Sequence, residues 1–120
     1  MMLRGIRGAT TAQNTSEDII EKTKELLLEM AKDNNIDQKN ICSIFFSVTH
    51  DLNAQFPAVA ARQIGWDLVP LICSNEIPVP NSLPHCIRIL IHYNTESKQE
   101  EIKHVYMRGA TVLRPDLAKK

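Results

Sequence analysis

Apolar and polar positions recur along the chain with two periods, and the switches between them divide it into elements. Residues 2–10 (Met2-Leu3-Arg4-Gly5-Ile6-Arg7-Gly8-Ala9-Thr10) read as a strand with two glycines, which permit close approach of a backbone or a ligand. After the polar run Gln13-Asn14-Thr15-Ser16, the residues Ile19, Thr23, Leu26, Leu27 and Met30 return at helical spacing. They predict a helix from 16 to about 33, N-capped by Thr15 with Asp18 as its partner and ending at Asn34-Asn35. Residues 41–49 are β-branched and aromatic and predict a second strand. Residues 56–64 predict a short helix, with Pro57 in its first turn and Gly65 just past its end. A third strand is expected over 68–73, where Pro70 demands an edge position or a bulge. Pro78, Pro80 and Pro84 mark a rigid loop, and residues 86–93 form a strand that is apolar apart from Arg88 and His92. A second polar helix from 97 to about 105 and a last strand over 110–113 complete the pattern. The order β-α-β-α-β-β-α-β predicts an α/β or α+β fold with a mixed sheet, in one domain spanning residues 1–120.

Composition narrows what such a domain can do. Leu, Ile, Val and Phe make up 33 of the 120 residues, enough for a core but a small one. A deep pocket enclosed by one copy would consume much of that core, so a shallow groove or a site shared between copies is expected. Fourteen basic and fourteen acidic residues cancel. That balance speaks against a nucleic-acid binder and against a polybasic membrane anchor. No stretch reads as a membrane span or a signal peptide. Cys42, Cys73 and Cys86 are odd in number and lack CxxC spacing, so they read as reduced thiols of a cytoplasmic protein. No metal-ligand spacing, glycine-rich phosphate loop or nucleophile elbow appears. No metal or other cofactor is implied.

Charge type says more than net charge. The lysines fall on predicted helices, a polar connection and the tail, whereas Arg4, Arg7, Arg62, Arg88, Arg108 and Arg114 mostly lie in or beside apolar strand segments. Arginine suits carboxylate recognition in partly dry sites, and these arginines are expected to gather toward one cleft. Arg88, between Ile87 and Ile89-Leu90-Ile91, must emerge at a groove, pair with an internal acid or bind an anion. Glu76 is one of few acids outside the two helices. By pattern alone Cys73 and Tyr106 read more readily as core residues. The inventory suits a small polyanion better than covalent or metal chemistry.

Several segments together resemble a known family: Arg4-Gly5-Ile6-Arg7-Gly8-Ala9-Thr10-Thr11, Phe56-Pro57-Ala58 with Arg62, Cys73 followed by Glu76, Cys86-Ile87-Arg88, His104-Val105-Tyr106, and Val112-Leu113-Arg114-Pro115-Asp116-Leu117. In this order and spacing they resemble the monofunctional, trimeric AroH-type chorismate mutases. The resemblance implies a pericyclic [3,3] rearrangement of chorismate to prephenate, in phenylalanine and tyrosine biosynthesis. It also implies an α+β fold, a mixed sheet flanked by helices, and a homotrimer with active sites between subunits. By the same resemblance, Arg88 stabilises charge on the ether oxygen, Arg7 binds a substrate carboxylate, and Glu76 accepts from the ring hydroxyl. Tyr106 contacts the side-chain carboxylate, Cys73 and its neighbour Ile72 line the pocket, and Phe56 and Leu113 form apolar walls. Arg62 and Arg114 lie at the mouth. Two positions depart from the pattern. Val59 stands where the family has a lysine, and Ile72 where a threonine is frequent. Imine or enamine hydrolases of the RidA type are similar in fold and also hold a carboxylate with an interfacial arginine. Glu76 and the Leu113-Arg114-Pro115-Asp116 end favour the mutase. A module that binds such dianions without converting them is the non-enzymatic alternative.

Overall fold

The computed structural model describes residues 1–117. Strand β1 (Met2–Thr11) leads into helix α1 (Ser16–Asn34), followed by β2 (Ile41–Val48), the short helix α2 (Ala58–Gln63), β3 (Leu71–Asn75), β4 (Cys86–Thr95) and β5 (Val105–Tyr106). The strands form one sheet in the order β3-β2-β4-β1-β5. β4 is antiparallel to both β1 and β2, while β3 and β5 add in parallel at the two edges. The sheet is therefore mixed.

Alternation along the strands gives the sheet two unlike faces. Ile6, Ile44, Phe46, Val48, Ile87, Ile89 and Ile91 are buried with Ile19, Leu26, Leu27 and Met30 of α1 and with Ala58, Ala60 and Ala61 of α2. Each such Leu or Ile contributes about 1.5–3 kcal/mol by leaving water. The α1 stripe and its start agree with the sequence pattern: the Thr15 side chain accepts from the Asp18 N–H, and Asp18 Oδ2 in turn accepts from the Gln13 N–H at 2.6 Å. Asn35 ends the helix in the left-handed region at φ 50°. Among the described residues no α-helix packs on the other face. There the row Ile72, Phe45, Leu90 and Arg7 runs across β3, β2, β4 and β1, with Phe45 and Ile72 exposed. A second, smaller cluster of Ala9, Cys86, Tyr106 and Ala110, backed by Leu83 and Leu113, packs apart from the main core.

Three elements differ from the sequence pattern. The third strand begins at Leu71, after Pro70 rather than through it; Pro70 serves only as an acceptor, its carbonyl taking the Ile44 N–H. β3 is an edge strand, as a proline beside it requires. The polar helix expected from 97 to 105 is a single 3-10 turn, Gln99–Glu101, because Ile102 and Val105 alone supply too little apolar face to hold a longer one. Val105 and Tyr106 instead pair with Gly8 and Ala9 as β5. The last expected strand is also a 3-10 turn, Arg108–Leu113. Arg108 turns the chain out of the sheet at φ 52°, and Gly109 N–H then donates to Thr11 Oγ1. Among the described residues no helix is long and apolar enough to cross a membrane.

Candidate active site

Residues singled out from the sequence line three depressions in different places; one of these, about 250 Å³ between residues 49–51 and the proline loop, takes Glu76. Of the other two, the first, of about 170 Å³, sits on the uncovered face and is lined by Arg7, Phe45, Ser47, Arg88, Leu90 and Tyr106 together with backbone of β1 and β4. The ladder explains the grouping. Ala9 is opposite Arg88 across β1 and β4, Ser47 is opposite Arg88 across β2 and β4, and Tyr106 is opposite Ala9 across β5. Alternation sends all of them to one face. The Arg7 guanidinium carbon lies 5.8 Å from the centre of the Tyr106 ring, within cation–π range.

Arg88 is where the sequence left three outcomes open. Its Nε lies 3.6 Å from Glu76 Oε2, an ion pair too long for a hydrogen bond. Among the described residues that Nε, though buried, has no hydrogen-bond partner, and the same holds for the Tyr106 hydroxyl, whose residue is 1 % exposed. Two polar atoms left unsatisfied at one depression cost free energy that an incoming acceptor would recover. Glu76 itself is held by its backbone: its N–H donates to the Val48 carbonyl and its carbonyl accepts from His50 Nε2. The start of β4 is fixed by Asp51. Both its carboxylate oxygens accept from the His85 N–H at 3.1 Å, and Thr49 Oγ1 accepts from the Cys86 N–H. Burial opposes the Asp51 charge, but the Thr49 hydroxyl and the His85 N–H outweigh it and hold the carboxyl below its usual range. Burial pushes the Cys86 thiol up to about 11, with Arg88 pulling the other way, so it stays protonated.

The second depression, about 340 Å³, opens beside α2 and the β3 edge and is lined by Leu52, Phe56, Pro57, Cys73, Ser74 and Asn75 among others. Phe56 is 67 % exposed at its rim. Burial raises the Cys73 thiol, opposed by a hydrogen bond from the Ala58 backbone and by the charge of Arg62, which places Arg62 near this groove. Cys73 pairs with Phe46 on the helix-covered side of the sheet, whereas its neighbour Ile72 pairs with Phe45 on the uncovered side. Three strand intervals, about 14 Å, separate β3 from β1.

The family model for chorismate mutase type I matches residues 3–117. The chain belongs to the type I chorismate mutase family. It is 50 % identical over 118 residues to a chorismate mutase AroH of Thermus thermophilus, covering 97 % of each chain. To the chorismate mutase AroH of Bacillus subtilis it is 43 % identical over 120 residues, covering 98 % of this chain and 94 % of that one. Among solved structures, a chorismate mutase from Clostridium thermocellum matches with a TM-score of 0.89 and 51 % identity, over 90 % of this chain and 97 % of that one. The imine or enamine hydrolase reading finds no support in these matches.

For a member of this family, the singled-out residues divide as follows. Arg7, Arg88 and Tyr106 meet at the uncovered face with Glu76 paired to Arg88, and Leu113 packs on the cluster behind Tyr106. Arg114 binds Asp116 through two nitrogens at 2.9 and 3.1 Å and lies close enough for its charge to help hold His104 below its ordinary value. Phe56, Cys73 and Arg62 belong to the second groove. The arginines therefore do not all converge. Arg4 Nε donates to the Ser97 carbonyl, and Arg108 is paired with Glu25 at 2.6 Å, so both are tied to structure. Phe45, Ser47 and Leu90 were not singled out from the sequence, and His104 stood there only within the His104-Val105-Tyr106 motif, with no role of its own. The alternation of β2 gave the one usable signal for Phe45, an aromatic on the outward parity of a strand. His104 gave none, because its partner is a backbone N–H of a distant strand.

Proposed function

We infer that this family member is an isomerase that rearranges chorismate to prephenate, by selecting the compact substrate conformer and stabilising charge on the ether oxygen. The observation that carries the mechanism is the pair of unsatisfied buried groups, Arg88 Nε and the Tyr106 hydroxyl, at a depression over which Arg7 also lies. The reaction breaks an ether C–O bond and forms a C–C bond within one molecule. No proton, nucleophile or metal takes part. A fixed guanidinium beside the oxygen, with its Nε already out of water, needs little reorganisation as charge develops there. Arg88 takes that role, with Glu76 holding it from behind and accepting from the ring hydroxyl. Arg7 and Tyr106 hold the carboxylate of the side arm, which restricts the substrate to its reactive fold. Phe56, Ile72 and Leu113 close the pocket with apolar surface, Cys73 lines it, and Arg62 and Arg114 draw the dianion in.

The whole chain acts as one domain, and the working form is a homotrimer with active sites between subunits. The two half-sites support this. Within one copy Cys73 lies on the helix-covered side of the sheet and Arg7 and Arg88 on the other, which fits a second copy bringing its α2 groove to the uncovered face of the first. Exposed Phe45 and Ile72 on that face give a neighbouring copy apolar surface to cover. The free thiols of Cys42, Cys73 and Cys86 suit a cytoplasmic enzyme. Chorismate mixed with purified protein should lose its ultraviolet absorbance at a rate proportional to enzyme. Unchanged absorbance at micromolar enzyme refutes the reading. Binding of chorismate without loss of absorbance would instead identify a dianion-binding module.

A further inference from the structure

We propose that His104 is a positioning residue for Arg7: its imidazole takes the Arg7 backbone N–H and so sets the direction in which that guanidinium leaves the sheet. The proposal rests on the reading of Arg7 as the holder of a substrate carboxylate. The Arg7 N–H donates to His104 Nδ1 at 3.0 Å, across 97 residues of sequence. The register of the sheet makes this bond unusual. β5 supplies only Val105 and Tyr106, opposite Gly8 and Ala9, and the ladder beyond them continues with Met107 N–H donating to the Ala9 carbonyl. On the other side Arg7 is opposite Leu90 of β4. Its N–H points instead to the β5 side, one step before that strand begins. The imidazole stands in for the missing strand carbonyl and carries the ladder one residue further, to the residue whose side chain lies over Tyr106.

The role requires a neutral ring, because Nδ1 can accept only when it bears no proton. The surroundings keep it so. Burial first, and then the charges of Arg7 and Arg114, hold His104 below its ordinary value of 6.5. Arg114 is itself paired with Asp116 at 2.9 Å. With Nδ1 accepting, the ring's proton sits on Nε2, and the bond is directional enough to fix the backbone at Arg7 without adding a charge to the site.

The test uses the full chain and a cycle of variants, each checked for an unchanged melting profile. His104→Leu removes the acceptor and should lower kcat/KM roughly tenfold, the effect of one lost hydrogen bond. His104→Asn, whose amide oxygen can occupy the place of Nδ1, should recover most of it. His104→Gln, whose oxygen reaches the place of Nε2, should not. In an Arg7→Ala background His104→Leu should cost less than twofold, because nothing remains to be positioned. Equal activity of the Asn and Gln variants, or the same cost in both backgrounds, overturns the proposal and leaves His104 a packing residue. Should His104→Leu fail to fold, the Asn and Gln pair still decides. If Arg7→Ala alone leaves kcat/KM unchanged, the role of Arg7 fails first, and that of His104 falls with it.

Discussion

The depression on the uncovered face and the groove beside α2 are built differently. The first rests on three paired strands and β5, so its polar groups are held by ladder register: Arg88 opposite Ser47 and Ala9, Tyr106 opposite Ala9. The second is walled on one side by loop residues, with Phe56 largely exposed at its rim. A cation meant to meet a developing charge gains from rigidity, because a misplacement of about 1 Å can cost 10²-fold in rate. A wall that must admit a ligand gains from adaptability. In the proposed mechanism the strands carry the chemistry and the loop and short helix the capture.

Substitutions separate the two regions. The largest effect is expected at the depression. Arg88→Lys should lower turnover by about 10²–10³-fold, since an ammonium cannot present the guanidinium's fork. The stopped loss of chorismate absorbance in a correctly folded variant would be the readout, and near-normal turnover would remove Arg88 from its role. Mixing experiments come next. Arg88→Ala and Cys73→Arg proteins, each inactive alone, should regain a measurable fraction of activity when unfolded and refolded together, because intact halves then meet in some sites. No recovery in assembled mixtures would show that one copy holds a whole site. Phe56→Ala at the groove should raise KM by about 3- to 10-fold and change kcat little, the signature of lost uniform binding.

Two smaller effects concern the frame rather than the site. A Cβ at Gly8 would run into the Met30 sulfur and lie 3.2 Å from a Leu26 methyl group, both on fully buried side chains of α1. Gly8→Ala should therefore lose about 1–3 kcal/mol by overpacking, seen as a lower denaturant midpoint. Acid should weaken the frame too. The hydrogen bond from Arg108 holds the Glu25 carboxyl below its ordinary 4.5, and the hydrogen bond from Lys22 holds Asp18 below its ordinary 3.8. Depressed carboxyls bind fewer protons folded than unfolded. Their contribution is thus complete above those ordinary values and is lost as pH falls through the lowered ones. Glu25→Gln should be less stable at neutral pH and lose less of its remaining stability on acidification; an unchanged acid slope would remove the Arg108 pair from this account.

The segments that proved legible in the sequence are those with a strong local cause. Thr15 caps α1 because Ser and Thr hydroxyls satisfy an orphan N–H, and the stripe from Ile19 to Met30 needs one buried face. Arg88 stood out because a guanidinium among isoleucines must have a reason. The stretch from Ser97 to Leu113 was misread because its causes are distant: Val105 and Tyr106 become a strand only since β1 offers an open edge, and Gly109 turns where Thr11 receives it.

What the sequence determined by itself is therefore the set of elements with their own period, the strand positions of the arginines and, through motif spacing, the family. Tertiary structure decided which of them meet. Arg4 and Arg108 looked like Arg7 and Arg88 in the chain, yet one is bound to the Ser97 carbonyl and the other to Glu25. Ile72 and Cys73 are adjacent in sequence and lie on opposite faces of one strand. The physical reason is that propensity and spacing act over a few residues, whereas a site is assembled by register, and register is fixed only when strands some eighty residues apart are laid side by side, as Arg7 is with Leu90.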